Sequence, residues 1–264
     1  MMTTPQKALY YSSDKRSIYV GRLERMLSRV NVASTLLLSI DNQLDVVDQT
    51  TGKIHHSKSL LIPAGMNVTI DTHNANVAVC FLDDLGTDLN KLIPKMGASI
   101  DISGQSRCFS SICSETEMIK NVESLLEKRP SAEDALEELD SWLEFIDTPN
   151  HDVPDPRVSK AISMIKENFS QNISVAEVAD SVHLSVPRLS QLFKEVTGTP
   201  IRRFRLWHRI SMTAIKLREG FSLTDAAIFT GFSDYAQFSR VFRELCGGSP
   251  SAAKNNTEIK ILSY

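Results

Sequence analysis

The sequence predicts a multidomain α+β fold. A β-barrel and a helical hairpin make up the N-terminal half, and an all-α domain with two helix-turn-helix motifs makes up the C-terminal part. Three observations predict it. Short apolar runs separated by turn residues fill the first hundred or so residues, helical periodicity takes over after residue 114, and a stretch of the helical half occurs twice. Many short strands at close spacing read as a barrel or sandwich, and an internal repeat is the most informative single clue to architecture.

The 264 residues suffice for about two domains. Hydrophobic residues at 42% and charged residues at 23% are ordinary for a globular chain. No apolar run approaches the roughly 20 residues that span a bilayer, and residues 1–16 hold no apolar signal-peptide core. The expected location is the cytoplasm, with no membrane partner. Cys80, Cys108, Cys113 and Cys246 are scattered with no C-x-x-C pair and read as reduced thiols. The net charge of -3 hides an asymmetry: residues 1–156 sum to -9 and residues 157–254 to +6. A basic module joined to an acidic one suits a nucleic-acid binder with a separate sensing or dimerising part.

The elements follow in order. Residues 34–40, 44–47, 60–62, 68–70 and 77–82, with Ile54 between, are short apolar runs, and turn signals at Thr51-Gly52, Pro63-Ala64-Gly65 and His73-Asn74 separate them. Met118, Ile119, Val122, Leu125 and Leu126 recur at helical spacing until Arg129-Pro130 stops the helix. Ser131 with Asp134 resembles a capping box, and Ala135, Leu136, Leu139, Trp142, Leu143 and Ile146 form a second stripe. This hairpin, residues 114–146, is expected to pair two subunits into a homodimer or to lie on the barrel. Residues 147–156, with three prolines up to Pro156, read as a linker between a unit of residues 1–113 plus the hairpin and a domain of residues 157–256.

The repeat aligns Ser174 with Ser222, Glu177 with Asp225, Ala179 with Ala227, Leu189 with Phe238, Phe193 with Phe242 and Gly198 with Gly247. The offset grows from 48 to 49 across the copy. Each copy predicts two helices and a tight turn, residues 175–196 and 223–245. Ser174, Ser185, Ser222 and Asp234 act as caps, and Gly198 and Gly247 lie beyond the helix ends. At 100° per residue, Leu189, Leu192, Phe193 and Val196 point inward on the first second-helix, and Phe238, Val241, Phe242 and Leu245 on the other. The outward faces carry Pro187, Gln191 and Lys194 flanked by Arg188 and Ser190, and Ala236, Arg240 and Arg243 flanked by Gln237 and Ser239. Such faces suit base edges and phosphates in a major groove; the alternative is a solvated face, which the duplication in a basic domain disfavours. Between the copies, residues 200–219 predict a helix of roughly 30 Å with Pro200 at its first position. That length is close to one turn of B-DNA. Arg202, Arg203, Arg205 and Arg209 on it suit either phosphates or neighbouring acids. Val158, Ala161, Ile162, Ile165 and Phe169 predict a buttressing helix ahead of the first copy.

Residues 231–243, Gly-Phe-Ser-Asp-Tyr-Ala-Gln-Phe-Ser-Arg-Val-Phe-Arg, followed by Gly248-Ser249-Pro250, resemble the signature of the AraC/XylS family of bacterial regulators. Leu189-Ser-Gln-Leu-Phe193-Lys194 and Arg209-Ile210 with Ala214 also fit, and the resemblance covers roughly residues 157–254. It implies a seven-helix DNA-binding domain and a sequence-specific transcription regulator, usually an activator that contacts RNA polymerase. It also implies base contacts by Pro187, Ser190 and Gln191 and by Ala236, Gln237 and Arg240. Gln191 stands where the family often has arginine, Pro187 and Ala236 are poor readers of bases, and Ala253-Lys254 replaces an aromatic-arginine ending. Reading is therefore expected to lean on Arg240 and Gln237. The β pattern with Leu61-Ile-Pro63-Ala-Gly65 resembles the cupin-like sensor barrel of that family, which implies an effector-sensing domain able to hold a small molecule. Where metal-dependent cupins place a histidine three residues after the glycine, this chain has Val68. No metal, cofactor, catalytic residue or enzymatic activity is expected. The alternative input is a protein partner with no small molecule.

Overall fold

The computed structural model describes residues 7–23, 26–48, 51–102, 106–144 and 154–262. The N-terminal half opens with strands β1 (Ala8–Ser12), β2 (Ser17–Arg22), β3 (Met26–Val30), β4 (Thr35–Ser39), β5 (Leu44–Val47), β6 (Ile54–Ser57), β7 (Ser59–Ile62), β8 (Asn67–Asp71) and β9 (Asn76–Phe81). A short helix α1 (Thr87–Leu92), strands β10 (Met96–Ile102) and β11 (Ser106–Ile112), and helices α2 (Glu115–Lys128) and α3 (Ala132–Glu144) complete it. Then come α4 (Pro156–Glu167), α5 (Val175–Ser181), α6 (Val186–Thr197), α7 (Ile201–Arg218), α8 (Leu223–Phe229), α9 (Tyr235–Cys246) and α10 (Pro250–Asn256). The last described element is a returning strand, β12 (Thr257–Ile261).

Two sheets form. One has the order β10-β11-β7-β4-β9-β2-β1-β12 and the other β3-β8-β5-β6. The large sheet is a middle layer, which explains its apolar runs. In β4, Leu36 and Leu38 join the core beneath α2 and α3, while Leu37 joins the core shared with the small sheet. Leu61 against Leu60 and Ile62 in β7, and Ala78 and Cys80 against Val77 and Val79 in β9, divide the same way. A strand covered on both faces has no polar side, so it reads as a continuous apolar run with no alternation. The expected turns are present, with positive φ at Gly52, Gly65, His73 and Asn74.

The hairpin caps as expected, with Ser131 Oγ accepting the Asp134 N–H at 3.1 Å. Of the two expected placements, the one on the sheet domain is seen. Met118, Val122, Leu125, Ala135, Leu136 and Leu139 are buried in the domain's own core against Leu9, Tyr11 and Ile18. These stripe residues are covered within the chain, and exposed acids such as Glu123, Glu127 and Glu137 lie on the outer face. The side chain of Leu143, Ile146 and linker residues 147–153 lie outside the described residues. Arg16 ties this layer together. Its guanidinium donates to Asp88 (Nε–Oδ2 2.6 Å) and to Asp140 of α3, and these carboxylates hold its pKa above the usual arginine value.

The sequence pattern marks neither β1, β10 and β11 nor the return of the chain in β12. β12 runs parallel to β1 across five residue pairs from Ala8–Thr257 to Ser12–Ile261. Only Ile261 of this strand is buried, so no hydrophobic pattern announces it. The two halves touch elsewhere too. The β7–β8 turn abuts the end of α6 so closely that a Cβ on Gly65 would lie 2.2 Å from the Gly198 carbonyl oxygen. Lys166 pairs with Asp84 at 2.6 Å, Phe81 and Trp207 pack as a tilted ring pair with centroids 4.7 Å apart, and Val32 enters the core of the second helical copy.

Candidate nucleic-acid interface

The two copies superpose in design, cap for cap. Ser174 Oγ accepts the Glu177 N–H (3.1 Å) while Glu177 Oε2 accepts the Ser174 N–H (2.6 Å), a complete capping box that lowers the Glu177 pKa. Ser222 Oγ accepts the Asp225 N–H at 3.1 Å. Ser185 caps α6 through the Arg188 N–H, and Asp234 caps α9 through the Gln237 N–H at 2.7 Å, which lowers its pKa. Ala179 and Ala227 are buried at the crossing inside each copy. The turns match as well: the Leu184 N–H donates to Ala179 O (3.0 Å) and the Phe232 N–H to Ala227 O (3.1 Å). The one-residue insertion falls in the second turn, since α5 and α8 are offset by 48 and α6 and α9 by 49. At the equivalent left-handed position the first copy has His183 (φ 56°) and the second Gly231 (φ 91°).

Helices α6 and α9 bury the faces that the periodicity assigns: Leu189, Leu192 and Phe193 in one, Phe238, Val241 and Leu245 in the other. On the opposite sides Pro187, Arg188, Ser190, Gln191 and Lys194 are exposed, as are Ala236, Arg240 and Arg243. Ser239 departs from expectation: it is buried and accepts a hydrogen bond from Arg243 at 2.8 Å. Gln237 is half-buried, its amide oxygen accepting the Ser233 N–H at 2.8 Å. Gln191 donates to Glu195 at 2.8 Å, and Ser190 donates to the Val186 carbonyl. Arg188, Lys194 and Arg240 present long cationic side chains on the exposed faces.

Helix α7 joins the copies. It begins at Ile201 with Pro200 as its extended N-cap, one position later than the sequence suggested, and its 18 residues make a rod of about 27 Å. Of Arg202, Arg203, Arg205 and Arg209 on it, three are committed to protein groups. Arg209 donates to Phe169 O, Gly231 O and Asn172 Oδ1 at 2.8–2.9 Å. Arg205 donates to Ile173 O, and Arg203 pairs with Glu244 of α9 at 2.5 Å. Arg202 is exposed. Burial lowers the pKa of Arg205 and Arg209; these residues brace the turns. His208 on the same helix is largely enclosed, and burial pushes its pKa down to about 4.

Among the described residues, a small cavity lies between the two sheets. It is about 20 Å³, beside Asn31 and Leu37, room for a water molecule. The larger space, about 340 Å³, lies in the cleft between the large sheet and the second copy. Tyr10, Tyr19 and Phe81 of the sheet face Trp207 of α7 there, with Arg22 and Lys254 among the lining residues. Among the described residues that line it, none is Asp or Glu. Sequence reasoning misses this cleft because its walls come from segments about 200 residues apart that no motif links.

Residues 178–256 match a family model described as a helix-turn-helix domain. Over 125 residues the chain is 35% identical to the arabinose operon regulatory protein of Escherichia coli, covering 45% of this chain and 41% of that one. Over 108 residues it is 28% identical to the HTH-type transcriptional activator RhaS of an Enterobacter species, covering 40% and 39%. The chain thus spans about two-fifths of the length of these curated relatives. Among solved structures, an apo form of ToxT from Vibrio cholerae covers 93% of this chain and 99% of its own, with a TM-score of 0.61 and 14% identity. ToxT bound to an unsaturated fatty acid superposes with a TM-score of 0.58 at 16% identity, over 92% and 96%. At such identities the likeness establishes the fold: an N-terminal β-sheet domain joined to a C-terminal helix-turn-helix domain.

Proposed function

We propose that the chain, whose residues 178–256 match a helix-turn-helix domain, is a sequence-specific regulator of transcription of the AraC/XylS type that reads double-stranded DNA with two helices. The observation that carries this reading is the duplication itself. Two capped helices, α6 and α9, each expose a polar and basic face, in a stretch of net charge +6. The residues proposed to touch DNA are Pro187, Arg188, Ser190, Gln191 and Lys194 on the first helix and Ala236, Gln237, Arg240 and Arg243 on the second. Arg240 is the leading base reader, because arginine pairs bidentately with guanine in the major groove. Gln237 contributes less than its position suggests, since its amide oxygen already serves the Ser233 turn. Selection of bound duplexes from a random library tests this. Enrichment of a defined two-part sequence is the expected result, and recovery of unenriched duplexes overturns it.

The finer reading is activation, supported by the name of the RhaS relative, a transcriptional activator; contact with RNA polymerase rests on the sequence resemblance alone. One chain already carries both recognition helices, so a monomer is a complete reader. A homodimer through the outer face of the hairpin would add a second pair of reading helices. For the input we propose a small-molecule effector in the interdomain cleft. The cavity's size, aromatic walls, two cations and lack of lining acids suit an apolar molecule with an anionic end. The fatty acid carried by ToxT is of that chemistry. Titration of a Trp142→Phe variant, which retains Trp207, with palmitoleic acid should change its fluorescence. An unresponsive Trp207 counts against the small molecule and favours the alternative of a protein partner.

A further inference from the structure

Strand β12 is the outermost strand of the large sheet and comes directly after the second helix-turn-helix unit and α10. It is attached mainly by polar groups. Besides the ladder to β1, which Leu262 N–H to Ser12 O extends at 3.0 Å, Glu258 pairs with Arg129 at 2.7 Å. Lys260 Nζ donates to the carbonyls of Arg129 and Pro130 at 2.6 and 2.8 Å, where the end of α2 favours a cation. On the other side Arg218, at the end of α7, donates to Ile261 O at 2.7 Å. Thr257 and Ile259 help wall the cleft.

This arrangement ties both reading units to one frame. The first unit rests on the sheet domain through Gly65 against Gly198 and through Lys166–Asp84. The second is held by β12, with Val32 as its apolar contact. Without β12, the second unit would keep α7 with its Arg209 brace and its Trp207 against Phe81, together with Val32 and the approach of β3 to α9, as its restraints. Detaching β12 would uncover little core, because Leu9 and Tyr11 of β1 are buried beneath α2 and α3 and Ile261 is the one buried residue of the strand. An edge element with little buried apolar surface is the kind that opens locally while the rest of a fold stays closed.

We propose that β12 is a clasp that fixes the placement of α9 relative to α6 and thereby sets the spacing between the two half-sites that the protein accepts. The inference rests on the two-helix reading of DNA. A docked second unit can meet only half-sites at one separation and rotation, whereas a freed unit turns about α7 and accepts others.

Two variants test this in the otherwise full chain: a truncation after Asn256 and Glu258→Arg, which sets a cation against Arg129 and Lys260 with no loss of apolar contact. Each is run with the full chain in two assays, selection from a duplex library with variable spacers and hydrogen exchange. The full chain should enrich one narrow spacing. Both variants should spread it by about one base pair or more to either side and exchange faster in α9 and α10, with β4, β7 and β9 unchanged. The same narrow spacing from all three proteins, or unaltered exchange in α9 and α10, overturns the clasp alone. Failure of the full chain to enrich any paired half-sites overturns the two-helix reading and the clasp with it.

Discussion

Arg209 and Arg240 carry the same charge on neighbouring helices and do opposite work. Arg209 is half-buried and spends its donors on three acceptors around the second turn, so Arg209→Ala should cost about 2–3 kcal/mol of stability, as for hydrogen bonds to a charged group left unmade. Arg240 is exposed; Arg240→Ala should leave thermal unfolding unchanged and cost about 1–3 kcal/mol of specific DNA binding. Melting curves and competition binding separate the two. The pair also shows why single residues resist sequence reading: a run of arginines looks uniform until the fold assigns acceptors to some of them. His183 and Gly231 form a second pair at equivalent left-handed positions. A side chain there is strained by about 1–3 kcal/mol, and glycine returns part of the gain as unfolded-state entropy. His183→Gly should therefore stabilise by about 1 kcal/mol, read by denaturant unfolding. Gly231→Ala should destabilise, because its Cβ would lie 3.0 Å from the Arg209 guanidinium. A third group, His208, is held neutral by burial, with its pKa lowered from 6.5 to about 4. The unfolded chain takes up this proton first as pH falls, so His208 withdraws stability between about pH 6.5 and 4 and contributes no slope above. His208→Gln should flatten that part of the stability profile relative to the parent; an unchanged slope would locate the titration elsewhere.

At the scale of elements, the sequence is legible wherever one face is polar or the pattern repeats. The caps, the Ala179 and Ala227 crossings and the one-residue insertion of the second unit all follow from the repeat. The strands β4, β7 and β9 are legible as apolar runs. β12 is not, since four of its five residues are half-buried and its partner lies about 250 residues away in sequence. The hairpin shows a different limit. Its periodicity identifies two amphipathic helices but not what covers them, and the cover is the chain's own sheet. Leu139 is fully buried there, so Leu139→Ala should lower stability by about 2–5 kcal/mol through the cavity it leaves. Sedimentation of the still-folded variant should match that of the parent.

For the molecule as a whole, the basic helical part is anchored on an acidic sheet part at Gly65–Gly198, Lys166–Asp84, Phe81–Trp207 and β12. None of these contacts is visible in composition, because each joins two residues that belong to no shared motif. The cleft that they enclose gives the sheet domain a physical route to the reading helices: a molecule lodged there would touch the sheet, α7 and α9 together. The most direct test of the central claim is protection of guanine N7 from dimethyl sulfate on an enriched duplex. Two clusters of protected guanines about 10 base pairs apart are expected, with protection in one of them lost in Arg240→Ala and retained in the other. A single cluster, or a duplex whose major groove stays fully reactive while the protein is bound, would contradict the account.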